Sequence, residues 1–318
     1  MVGVPAPMLA VAGRPPDHAG WAVEMKWDGA RVIAITEPGS CRLYSRNKQP
    51  VTGSYPEVVT ALVAATAGRE LILDGELIVQ DATGAPSFGL LQRRMHVVRP
   101  STSLVASTPV QLYAFDVLAI DGQSAIATPY LQRRDLLGGL GLESSLVRVP
   151  PHWVGVDADR LLAVASEHHL EGIVSKRIDS TYQPGRRSHS WIKTAIRKTT
   201  SAVVAGWLPG SGSSTRTFGS LVLGAHDPHS GQLVHIGNVG TGFSGAARRD
   251  LQGRLDELAT VASPFSNQAG RGLAMTHWVR PVLVGAIEYR EYTGEGLRHP
   301  SWRGIRTDKN PDETRLPD

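Results

Sequence analysis

Glu24-Met25-Lys26-Trp27-Asp28-Gly29-Ala30-Arg31 sets an amine, two carboxylates and a guanidinium in one short run, around an Asp-Gly turn signal. Read with period two, Trp21, Val23 and Met25 point to one side of a strand, and Ala22, Glu24 and Lys26 to the other. The strand is expected to be half-buried, with Lys26 on its polar face and Arg31 on a return strand, Arg31–Ile35. A protonated lysine is a poor nucleophile, its reference pKa being about 10.4. Neighbouring cations or burial lower that value and free the amine. The run therefore suits a nucleophilic lysine activated by Arg31 and other basic groups. An exposed strand lysine in a hairpin satisfies the same residues.

Further clusters follow. Arg42, Tyr44 and Arg46 share one face of a strand over Cys41–Arg46. Asp74 and Glu76 interrupt an apolar strand over 70–79; two apart, they share a face and repel unless a cation or donors intervene. In Glu171-Gly172-Ile173-Val174-Ser175-Lys176, the glycine sets Glu171 in the turn before a strand. Along Ser190–Ile196, Trp191, Lys193 and Ala195 face one way and Ile192, Thr194 and Ile196 the other. Seven basic residues and one acid, Asp179, lie between Lys176 and Lys198, which favours phosphate binding over a plain solvated face. A last charged group, Arg306-Thr307-Asp308-Lys309, stands near the end. His168 and His169 lack partners at metal-ligand spacing and read as surface residues.

In this order the stretches resemble the motifs of the covalent nucleotidyltransferases: DNA ligases, RNA ligases and mRNA capping enzymes. The tail from Glu288 to Lys309 resembles the form typical of bacterial ATP-dependent DNA ligases, including the ligase unit of end-joining enzymes. The resemblance implies ATP as cofactor, with AMP bound covalently to Lys26, and Mg²⁺ or Mn²⁺ as metal. It assigns Glu24, Met25, Arg31, Arg46, Glu76, Phe115, Val174, Lys176 and Lys193 to the nucleotide, Phe115 and Val174 to the faces of its base. Glu76 and Glu171 are assigned to the metal. Arg306, Asp308 and Lys309 are assigned to orienting the leaving pyrophosphate, with a hinge near Thr199. The family has K-x-K where this chain has Lys193-Thr194-Ala195, so Lys198 or Arg197 is expected to replace the missing lysine. An RNA ligase or a GTP-using capping enzyme fits the tail less well. A non-catalytic nucleic-acid-binding protein on a ligase scaffold is the reading from another class.

The elements that must position these groups are an α+β set. Strands over 110–118 and 172–177 and helices over 56–67, 86–97, 130–138 and 157–169 are expected in residues 1–198. Together they make an adenylyltransferase domain of antiparallel, ATP-grasp-like sheets with helices. In residues 199–318, strands over 202–208, 220–225 and 232–239, a helix from Ser244 to about Val261 and strand over 281–292 suit an OB-fold barrel, with Gly/Ser-rich loops such as Gly210–Ser214 between them. No apolar run approaches the ~18–20 residues of a membrane span, and a net charge of +4 with one cysteine, Cys41, fits a cytoplasmic, nucleoid-associated protein without disulfides. Nicked or broken double-stranded DNA is the expected substrate and a monomer the expected state. Few residues precede Lys26, so an extra N-terminal DNA-binding domain is not expected, and an end-binding or polymerase/primase partner is.

Overall fold

The strand that carries Glu24 does not turn back on itself. The computed structural model describes residues 3–16, 19–210, 217–265 and 273–317. Strand β1 (Leu9–Ala12) is followed by β2 (Trp21–Met25) and β3 (Ala30–Glu37), and β2 and β3 belong to different sheets. The Asp28-Gly29 link therefore crosses between sheets and does not close the hairpin expected from the sequence. Close approach explains the glycine: a Cβ at Gly29 would collide with the Leu77 carbonyl and the Glu76 side chain.

β3 pairs with β4 (Ser40–Ser45) on one side. Helix α1 (Pro56–Thr66) comes next, with Pro56 in its first turn and Val58 and Leu62 buried against the sheet. β5 (Leu71–Ile78) then pairs with β3 on its other side. Helix α2 (Phe88–Gln92) starts at the Ser87 cap and α3 (Thr102–Ser107) at the Ser101 cap. The helix expected over 86–97 stops at Gln92 because Arg94 turns inward. Its wholly buried guanidinium donates to Glu57 and to the Ser54 and Thr108 carbonyls. β6 (Gln111–Ile120) and β7 (Gln123–Ser124) complete a sheet of order β4-β3-β5-β6-β7. Helix α4 (Tyr130–Gly139) packs on β6, and β8 (Val147–Arg148) pairs parallel to it.

The other sheet has the order β1-β11-β10-β2-β9, adding β9 (His152–Val154), β10 (Gly172–Arg177) and β11 (Arg187–Ala195). Helix α5 (Ala158–Glu167), capped by Asp157, covers the side that carries Val23, Met25 and Ile173. The opposite side of β2 meets α4, so its expected polar face is buried: Glu24 is 4% exposed. The strand is central and covered twice, which alternation alone does not reveal.

Residues Met1–Ile196 form one unit and Arg197–Asp318 a second. In the second, β12 (Lys198–Pro209), β13 (Phe218–His226) and β14 (Leu233–Val239) form an antiparallel meander, followed by α6 (Gly245–Glu257) on its Ser244 cap. β15 (His277–Trp278) and β16 (Val284–Tyr289) both pair with β12. After a small hairpin, β17 (Glu291–Tyr292) and β18 (Leu297–Arg298), the strand β19 (Ser301–Ile305) pairs with β16. The order β14-β13-β12-β16-β19, with a helix before the fourth strand of the path in sequence, is consistent with a partly open OB-fold barrel. Its core includes Val204, Leu223, Ile236, Leu251, Ile287 and Trp302. Residues 211–216 of the Gly/Ser-rich loop lie outside the described residues.

Candidate active site

Lys26 lies one residue past β2, and its backbone N–H donates to the Gly172 carbonyl at 2.8 Å. That bond brings it beside Glu171, in the turn before β10, and the Lys26 ammonium is ion-paired with the Glu171 carboxylate. Gly172 is required twice over: its φ is +139°, and a Cβ would strike the Thr194 carbonyl.

A cavity of about 180 Å³ opens at this pair. Glu24, Met25, Lys26, Arg31, Arg46, Glu76, Phe115, Val174, Lys176 and Lys193 all line it. Of the residues expected in the first unit, only Glu171 is missing from that lining, and it reaches the site through Lys26. The remaining candidates belong to the second unit. Lys198 opens β12 opposite Tyr289. The Arg306 guanidinium donates twice to Asp308, at 2.7 and 2.6 Å, and Lys309 Nζ is 3.9 Å from Glu313. Trp27, Arg187 and Trp191 also line the cavity and had no assigned role. Arg187 was visible in the basic run, and Trp191 on the face it shares with Lys193.

The cavity is built on satisfied buried charge. Glu24 Oε2 is 2.6 Å from Lys176 Nζ, the Tyr130 hydroxyl donates to Oε1, and Arg134 Nε lies 3.8 Å away. Burial works against an ionised Glu24, but Lys176 and Arg134 prevail and hold its carboxyl below the usual value. Burial likewise pushes the Lys176 ammonium below an ordinary lysine, despite Glu24. The repulsion expected between Asp74 and Glu76 is relieved by Arg31, which donates to both Asp74 oxygens at 2.5 and 2.6 Å. Tyr182 adds a third bond to Asp74 and accepts one from the Met8 N–H at 2.9 Å. Phe115 faces two cations: the Arg31 guanidinium is 4.5 Å and Lys176 Nζ 4.6 Å from its ring centre.

Burial raises the Glu76 carboxyl to about 7 against the pull of Arg31 and Lys26, and the Glu171 and Asp74 carboxylates add to the rise. The Glu76 and Glu171 carboxylates are a fitting donor set for a hard divalent cation that also takes phosphate and water oxygens. Burial, with Lys26 and Arg187 close by, lowers Lys193. The site thus joins an amine, a cluster of cations and apolar walls, which suits nucleophilic attack on a phosphate.

At the sheet edge, His152 Nδ1 is 3.3 Å from Arg134 Nε, so the ring accepts there. Burial and the Arg134 charge depress its pKa from the ordinary 6.5. A base with a depressed folded pKa stabilises the fold above the unfolded value and loses that contribution as pH falls below it. Wild type should therefore lose stability relative to His152→Gln as pH drops below 6.5, by denaturant unfolding at a series of pH values. Parallel curves for the two proteins would refute this.

Comparison with known proteins agrees with the geometry. The family model described as ATP dependent DNA ligase domain matches residues 7–194, and that described as ATP dependent DNA ligase C terminal region matches 214–309. The chain is 42% identical over 315 residues to the multifunctional non-homologous end joining protein LigD of Mycolicibacterium smegmatis, covering 97% of this chain and 39% of that protein. It is 32% identical over 304 residues to a DNA ligase of Thermococcus onnurineus, covering 92% and 52%. Among solved structures it resembles the ligase domain of M. tuberculosis LigD, with 39% identity, TM-score 0.57 and 98% of each chain covered. It also resembles mycobacterial DNA ligase D complexed with ATP and MES, with 37% identity, TM-score 0.56 and 98% and 97% covered. The chain spans 39% of the length of the mycobacterial end-joining relatives it matches.

Proposed function

The chain belongs to the ATP-dependent DNA ligase family, and on that premise we propose that it seals breaks in duplex DNA with ATP, carrying AMP on Lys26. In the first step the unprotonated Lys26 Nζ attacks the α-phosphorus of ATP. A P–N bond forms, the P–O bond to pyrophosphate breaks, and the amine gives up its proton. A 5′-phosphate oxygen of DNA then attacks the same phosphorus, the P–N bond breaks and Lys26 is regenerated. Finally the 3′-hydroxyl attacks the activated 5′-phosphorus and expels AMP.

Lys26 is ion-paired with Glu171, so its Nζ must leave that carboxylate to reach the α-phosphorus. Lys193, Arg187, Arg31 and Arg46 line the cavity and supply donors for phosphate oxygens. Glu24, held ionised by Lys176, Arg134 and Tyr130, offers fixed acceptors, and Phe115 and Val174 offer apolar surface to a base. Glu76 and Glu171 would hold Mg²⁺ or Mn²⁺, which when bound offsets phosphate charge. Arg187 lines the same cavity on β11 and is a candidate stand-in for the lysine missing at Ala195, beside Lys198 and Arg197.

The tail Arg306-Thr307-Asp308-Lys309 acts in the first step, on the departing pyrophosphate. Arg306→Ala or Lys309→Ala should slow AMP transfer to Lys26 by at least about tenfold, a loss of about 1.4 kcal/mol, and barely slow sealing of DNA already carrying a 5′-adenylate. Equal slowing of both steps would exclude this role. The substrate is duplex DNA, and the likeness to multifunctional end-joining proteins favours work beside an end-binding or polymerase partner.

The convergence of the expected residues on one cavity at Lys26 carries this reading. Incubation with α-labelled ATP and α-labelled GTP in parallel tests it. Label from ATP alone should stay on the denatured protein, and a nicked duplex should be sealed. Label from GTP would indicate capping-type chemistry, and label from neither would leave a binding protein.

A further inference from the structure

Tyr130 and Arg134, one turn apart on α4, stand behind the nucleotide cavity without lining it. Both side chains are buried. The Tyr130 hydroxyl donates to Glu24 Oε1 at 2.5 Å, and Lys176 Nζ lies 2.6 Å from Oε2. Arg134 reaches both sheets of the first unit. Its Nε is 3.8 Å from Glu24 Oε1 on β2, and its Nη1 donates to the Phe115 carbonyl on β6 at 3.1 Å. On its far side, Nη2 donates to the Pro150 carbonyl and Nε to His152 Nδ1 at 3.3 Å.

The two sheets supply different parts of a slot for a planar base: Phe115 offers a face and Glu24 an edge. A carboxylate oxygen has two lone pairs, so each Glu24 oxygen keeps one after meeting Tyr130 or Lys176. Held ionised, the group can only accept. Adenine presents its 6-amino donor where guanine presents the O6 acceptor. Selection between them then depends on how the carboxylate is turned and how far it stands from Phe115. An ammonium is a compact point charge with rotatable donors, so Lys176 alone leaves the carboxylate free to turn. Tyr130 fixes one oxygen, and the planar fork of Arg134 fixes the spacing to Phe115.

Given the ligase reading, on which this rests, we propose that Tyr130 and Arg134 are positioning residues for base selection, acting through Glu24 and Phe115 without touching the nucleotide. Helix α4 contributes nothing to the cavity wall, yet it decides which edge of a purine the cavity accepts.

The test is Tyr130→Phe, which deletes one hydroxyl and keeps the ring beside Lys176, together with Arg134→Lys, which keeps the charge and loses the fork. Each is assayed for labelling of Lys26 from ATP and from purine riboside triphosphate, which lacks the 6-amino group. Equilibrium binding of AMP and purine riboside monophosphate is measured beside it. The wild type should prefer the 6-amino nucleotide, and in both variants that preference should fall by about tenfold, the order expected for one hydrogen bond to a charged group. The loss should appear in KM for ATP, with kcat nearly unchanged. Tyr55→Phe, the same deletion at the start of α1, should keep the wild-type preference. Should Arg134→Lys fail to fold, Tyr130→Phe decides alone. Equal loss with and without the 6-amino group, no loss with either, or a wild type without the preference overturns the proposal, because a merely structural role does not distinguish the two nucleotides. Absence of ATP labelling in the wild type would instead overturn the ligase reading, and the monophosphate pair would still decide the slot.

Discussion

Replacing Lys26 by alanine or by arginine should reduce AMP labelling of the protein to background while leaving it folded. Arginine is the sharper substitution. It keeps a positive charge beside Glu171, so the ion pair survives, but its guanidinium stays protonated and cannot attack phosphorus. Loss of the nucleophile removes the covalent path itself, an effect of many orders of magnitude. Stability should change little in either variant, because the partly exposed lysine contributes roughly 1 kcal/mol through its ion pair. Both variants should still seal DNA supplied with a 5′-adenylate, since that step starts after the lysine has done its work. Labelling of Lys26→Arg at the wild-type rate would move the nucleophile elsewhere.

The largest effect on stability is expected away from the lysine. Asp116 on β6 and Arg133 on α4 are both wholly buried, joined by two hydrogen bonds of 2.7 and 2.9 Å. Arg133 also donates to the Thr128 carbonyl at 2.6 Å and the Ser180 carbonyl at 3.2 Å. It thereby ties α4 to one sheet and to the segment that follows β10 in the other. Asp116→Ala should destabilise the protein by about 3–5 kcal/mol, because it leaves a buried guanidinium without its counter-charge. Asp116→Leu with Arg133→Met should recover a large part of that loss, since the uncompensated charge is then gone. Urea unfolding of the single and double variants checks both numbers. An additive loss in the double variant would mean that packing, not charge, is lost.

Much of the site was legible because its residues sit at local signals. Alternation placed Trp191 with Lys193, and both line the cavity. The glycine of Glu171-Gly172 correctly set Glu171 in the turn before β10. The partnerships were hidden because they join residues far apart in sequence. Glu24 depends on Tyr130, Arg134 and Lys176, and Asp74 on Arg31 and Tyr182. Asp28-Gly29 looked like a hairpin because a turn signal says where the chain bends, not which sheet it enters next. The half-buried reading of β2 failed for a related reason. A polar residue on a strand marks a wet face only if no neighbour supplies its counter-charge. The helix at Phe88 ended early because a buried ion pair claimed Arg94, a tertiary cause that helix propensity does not contain.

The account stands on Lys26 passing AMP to DNA. The protein labelled with α-labelled ATP, freed of nucleotide and then mixed with a nicked duplex bearing a 5′-phosphate, tests that claim in a single turnover. Label should leave Lys26 for the DNA and then appear as free AMP, with one nick sealed for each label lost. A 5′-hydroxyl duplex should leave the label in place. Label that resists the 5′-phosphate duplex, or that leaves without sealing, would contradict the account.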